Sequence, residues 1–161
     1  MIGIDIDPEM IGASRKAIAP DRIEVEFRCE SSARIGLSSQ SVDMIFCHQT
    51  FHHVVNQEGA IREFQRLLKP GGILLFAEST RAYIHSWLIR LLFRHDMDVQ
   101  KSADEYVRMI ENAGFTVDRS SISYPYLWWS RRDLGVLERW FGITPPSVRE
   151  ETLINLVAVR T

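Results

Sequence analysis

Several short stretches of this sequence carry side chains that can do chemistry. In GIDIDPEM, Asp5 stands at the end of a predicted strand, where a carboxylate can accept two hydrogen bonds from the vicinal hydroxyls of a ribose. Ile6 beside it offers an apolar surface to an adenine face. The plain alternative makes Asp5 a loop residue, and Asp7 reads as a helix cap. The run Cys29-Glu30-Ser31-Ser32 follows the next strand and can meet an adenine amine or simply form a polar turn. In SVDMIFCHQTFHHV, His48 and His52 have i,i+4 spacing, but zinc needs further ligands, so no metal is expected. His53 can act as a general base or pack beneath its loop. Tyr124, Tyr126, Trp128 and Trp129 can floor an acceptor pocket or fill a core. Nothing resembles a Ser-His-Asp order, a P-loop or a CxxC pair.

These groups need a frame, and residues 61–79, IREFQRLLKPGGILLFAES, supply its centre. Ile61, Phe64 and Leu68 recur at helical spacing, with Arg62, Glu63, Gln65, Arg66 and Lys69 on the other face. Pro70 ends that helix and Gly71-Gly72 allow a tight turn. Residues 73–77 are unbroken apolar, which predicts a strand buried on both faces in a parallel sheet. Polar residues 78–80 then fall at the strand end, where such sheets bind ligands.

The remaining elements follow in order. Residues 1–6 predict a strand, and a helix runs from Pro8 to about residue 19. Residues 23–28 alternate apolar and charged, the mark of an edge strand, and residues 42–47 form another apolar strand. Asn56 can cap the central helix. A second amphipathic helix is predicted over 81–94, and Ser102 to Glu105 has capping-box spacing for a helix stopping at Gly114. Strands follow at 115–117 and 153–159, with a helix over 133–141 between them. No linker is visible, so one domain is expected.

The chain's 161 residues are 45% hydrophobic and 25% charged, with 19 basic against 21 acidic side chains and a net charge of −2. That balance gives no reason to expect nucleic acid or a membrane as partner. The two cysteines, Cys29 and Cys47, read as reduced thiols of a cytoplasmic protein. No signal peptide or membrane span is expected.

Taken together, GIDIDPEM, SVDMIFCHQTFHHV, IREFQRLLKPGGILLFAE and SADEYVRMIENAGFTV resemble the blocks of the class I S-adenosylmethionine-dependent methyltransferases, small-molecule branch, over nearly the whole chain. The resemblance implies an α/β, doubly wound Rossmann-like fold, mostly parallel, with an antiparallel last strand. It also implies S-adenosylmethionine as cofactor and a small-molecule acceptor. Asp5 would hold the ribose and Ile6 pack on the adenine. Ser31 and Ser32 would lie by the adenine amine, where the family more often has Asp. Cys47 and His48 would line the methionine end. Residues 81–101 and 120–151 would build the acceptor site.

The family's first strand and its GxGxG loop have no counterpart here, so the fold is expected to be N-terminally incomplete. The absent strand would lie mid-sheet, between those starting at residues 1 and 42. A central strand buries several side chains at roughly 1.5–3 kcal/mol each, against about 5–15 kcal/mol for a whole domain. The chain is therefore expected to be a fragment, to borrow a strand from a homodimer or other partner, or to pair its two flanking strands directly. A non-catalytic member of the same fold is the second reading of function. A nicotinamide-dependent oxidoreductase fits the closing hairpin poorly.

Overall fold

Local signals place the helices. Asp7 caps α1 (Pro8–Ala17) by accepting from the Glu9 amide at 2.8 Å, with proline as the first helical residue. Asn56 accepts from Gly59 N at 3.0 Å and opens α2 (Gln57–Leu67). At α5 (Ala103–Asn112), Ser102 and Glu105 form the full reciprocal box. Gly114 follows it at φ +92°, a conformation that suits glycine alone among common residues. The computed structural model describes residues 1–18, 24–92, 99–125, 136–142 and 152–161.

Among the described residues the strands form two sheets. β1 (Ile2–Asp5) pairs in parallel with β2 (Glu26–Cys29), from Ile2 opposite Glu26 to Asp5 opposite Cys29. β3 (Val42–His48), β4 (Leu68–Ser79), β6 (Leu153–Arg160) and β5 (Phe115–Val117) make the second sheet, in the spatial order β3-β4-β6-β5. β3 and β4 are parallel, and β6 runs antiparallel to both of its neighbours. This is the expected mixed α/β, Rossmann-like arrangement with an antiparallel last strand. β1 and β3 do not pair, which overturns direct closure of the two flanking strands.

The core lies on one side of the larger sheet. Leu74, Phe76, Ile154 and Ala158 face Ile61 and Phe64 of α2 and Tyr106 and Ile110 of α5, all buried. Phe51 stands at the centre, with ring centroids 5.2 Å from Phe76, 6.1 Å from Tyr106 and 6.3 Å from Phe64. The other side differs from expectation. Ile73, Leu75 and Ala77 are only half-buried, while Met44 and Phe46 on β3 are 54% and 69% exposed. The apolar run at 73–77 is thus fully covered on one face, not two.

Two elements depart from their sequence signals. The Lys69 to Gly72 segment is a bulge within β4 instead of a turn ahead of it. The register passes from Val42 opposite Leu68 to Met44 opposite Ile73. Gly71 has φ +76°, and a Cβ on Gly72 would stand 2.8 Å from the Lys69 carbonyl. The helix expected over 81–94 is broken into α3 (Arg81–Ile84) and α4 (Trp87–Leu92). Ser86 N bonds back to Tyr83 O at 3.0 Å, which tightens the last turn and ends the first piece. Of the later elements, α6 spans Val136–Phe141. Tyr126, Trp128 and Trp129 lie outside the described residues, and Tyr124 is 43% exposed.

Truncating the central ring, Phe51→Ala, is expected to cost about 3–5 kcal/mol. A urea midpoint shift checks this, and a loss under 1 kcal/mol would contradict Phe51 as the core's centre.

Candidate functional site

The polar groups gather where β1 to β4 end. On the small sheet, Asp5 is half-buried, and its Oδ1 accepts from Asp7 N at 2.8 Å. Its second oxygen carries no hydrogen bond among the described residues. Ile6 next to it is 72% exposed. Across the pair, Cys29 Sγ lies 3.4 Å from the Ile6 carbonyl. Ser31 accepts from Ala33 N through its hydroxyl at 3.3 Å and bridges to Arg34, so its local geometry is a polar turn; Ser31 and Ser32 are both half-buried.

At the end of β3, alternation sends Cys47 and His48 to opposite sides. Cys47 is buried, with Sγ 3.6 Å from Thr50 Oγ1 and 3.9 Å from Glu78 Oε1. Burial, and then the Glu78 charge, push its thiol up to about 12, so it is not a nucleophile. His48 is exposed and stacks on Phe46, centroids 5.7 Å apart at 11°. Of this pair, only His48 presents its side chain to solvent.

The histidines after β3 do not share a helix face. His48 ends a strand, while His52 and His53 belong to a single 3-10 turn, Phe51–His53. No group of three or more His, Cys, Asp or Glu placed to hold a metal occurs among the described residues. His52 is the buried ring, and its Nδ1 meets Glu78 Oε2 at 2.7 Å. His53 is exposed, its ring centroid 4.1 Å from that of His52.

The sequence placed Glu78 only among the polar residues 78–80 at a strand end; the structure shows it organising this turn. The carboxylate is fully buried, and Oε1 accepts from both Thr50 N and Phe51 N at 2.7 Å. Around it, Gln49 N donates to Ala77 O at 2.9 Å and Ser79 Oγ to Gln49 Oε1 at 2.6 Å. Gln57 and Gln100 donate to the Phe51 and His52 carbonyls. The available signal was an acid ending an apolar strand, since such a residue is buried only when paired.

Comparison with known proteins agrees with this architecture. Residues 1–76 match the family model described as "Methyltransferase domain". A methyltransferase-like protein of Schizosaccharomyces pombe is 36% identical over 88 residues, 55% of this chain and 32% of that protein. The ubiquinone biosynthesis O-methyltransferase of an Azoarcus species is 27% identical over 134 residues, 76% of this chain and 58% of that one. The chain thus spans from a third to under two thirds of these curated relatives. Among solved structures, the Haloferax volcanii methyltransferase complexed with the Trm112 activator superposes with a TM-score of 0.69 at 22% identity, covering 98% of this chain and 70% of that one. Fold and sequence agree, and the resemblance to the class I S-adenosylmethionine-dependent methyltransferases stands. No helix among the described residues is long and apolar enough to cross a membrane.

The Cys47 shift sets a pH dependence. The unfolded thiol ionises near 9.0 and the folded one near 12, so this contribution to stability is complete below pH 9 and is lost as pH rises between them. Wild-type stability is expected to fall in that window faster than that of Cys47→Ala, by up to about 1.4 kcal/mol per pH unit. Urea melts of both proteins at pH 8.5 and 10.5 check it; parallel slopes would refute the shift.

Proposed function

We propose that this chain holds the nucleoside end of S-adenosylmethionine and serves methyl transfer to a small-molecule acceptor. The carrying observation is Asp5, a half-buried carboxylate at a parallel strand end with one oxygen bonded to Asp7 N, the other without a hydrogen bond among the described residues, and an exposed Ile6 beside it. Those two fit a ribose diol and an adenine face. In this reading Ser31 and Ser32 stand near the adenine, and Cys47 and His48 at the end of β3 near the methionine part. The cofactor supplies an already activated methyl group, so the chain's task is to orient the acceptor against it. The described parts of the segments 81–101 and 120–151 are the candidates for the acceptor's surroundings.

The chain acts as one partial domain, in the cytoplasm. In this reading the open edges of β1 and β3 are where a further parallel strand, from a second copy or another segment, would pair and support the cofactor's other end. The Haloferax neighbour's activator makes a protein partner a natural extension.

The open edges of β1 and β3 also favour a second reading, a non-catalytic remnant or binding module of the same fold that cannot hold the cofactor tightly. Calorimetric titration with S-adenosylhomocysteine separates the two. Binding is expected, weakened about 10- to 100-fold in Asp5→Ala, the range of a charge-assisted hydrogen bond. An absence of heat at millimolar ligand would favour the second reading.

A further inference from the structure

Glu78 belongs to β4, but its carboxylate serves the turn after β3. Both oxygens are spent there, on two backbone amides and the His52 ring, each at 2.7 Å. Glu78 already accepts from both amides, and in the Nδ1–H tautomer the His52 ring donates to its second oxygen, a contact that sets the ring plane. The same turn has its carbonyls held by Gln57 and Gln100. The locked His52 ring is the surface against which His53 packs, at 4.1 Å and 42°. The other titratable groups facing Glu78 do not compete for this role. Burial raises the Cys47 thiol on β3 and the Tyr106 phenol on α5, keeping both protonated.

We propose that Glu78 and His52 are positioning residues that hold His53 as a proton-accepting imidazole at the rim of the strand ends, for an acceptor bearing an ionisable O–H or N–H. The acceptor class rests on the methyl-transfer reading. An oxygen or nitrogen that gains a methyl group must give up its proton, and a His53 ring nitrogen takes that proton, becoming imidazolium. The burial of an ionisable pair under an exposed histidine then has a use beyond packing. It sets the ring's orientation without placing a charge in contact with the acceptor.

Long-range 15N–1H spectra of the imidazoles, recorded across a pH titration, test this on the intact chain. Wild type is expected to show His52 as the Nδ1–H tautomer. Glu78→Gln is expected to change that tautomer and move the His53 midpoint by roughly half a unit or more. Ser79→Ala cuts a different tether of the same loop and is expected to leave both unchanged. An unmoved His53 in Glu78→Gln, or an equal shift in Ser79→Ala, overturns the proposal. Should Glu78→Gln fail to fold, His52→Asn serves: its amide can still donate to Glu78, but no ring lies beneath His53. A His53 midpoint unaltered in His52→Asn is equally fatal. Failure of S-adenosylhomocysteine to bind would remove the acceptor class and leave the positioning result standing.

Discussion

β1 and β3 each pair on one side only, and that constraint governs the rest of the molecule. A two-stranded sheet of four-residue strands is marginal by itself. Its helix α1 buries only Ile11. The unit therefore takes support from the larger half, through the 30–41 loop. Arg66 donates to the Ile35 and Leu37 carbonyls at 3.0 and 2.9 Å, and Glu63 accepts from Ile35 N at 2.7 Å. Arg66 also forks onto Glu63, with contacts of 2.8 and 2.7 Å. The Arg66 bond is the main reason the Glu63 carboxyl sits below its usual range, so the clamp is charged on both sides. Arg66 remains partly open to water, which discounts the ion pair itself. The backbone bonds and the packing of Ile4, Ala33 and Leu37 on the core provide the rest.

How much was legible depended on the distance between partners. Asp7 with Glu9, Asn56 with Gly59 and Ser102 with Glu105 all act within one turn, so residue type and spacing announced them. The antiparallel last strand followed from the family likeness. Glu78 meets groups 26 to 28 positions away; its place at the end of an apolar strand marked an acid that needs partners, but not the turn that would enclose it. The glycines at 71 and 72 were read correctly as backbone needing freedom. A bulge and a turn ask the same of glycine, and only the register against β3 separates them.

The apolar run at 73–77 shows a different limit. Composition records that a strand can be buried on both faces. It does not record whether a covering element is supplied. Met44 and Phe46 show the consequence, because natural edges are usually blunted by charge, and here Asp43 alone interrupts the run. Asp43 is itself paired with Lys69 at 2.7 Å, across the β4 bulge.

The candidate site is divided along the same line. Asp5 and Ile6 stand on the small sheet, while His48 and the Glu78-anchored turn stand on the large one. The turn is held by its own bonds, whereas among the described residues no backbone ladder joins the two sheets. A ligand that touches both halves meets a spacing set by the Arg66–Glu63 clamp and the packing of Ile4, Ala33 and Leu37, and any further ordering of it on binding subtracts from affinity. A strand seated between β1 and β3 would remove this cost before the ligand arrives. In the proposed reading, completing the sheet and tightening the site are then one physical event, because a single added ladder would serve both.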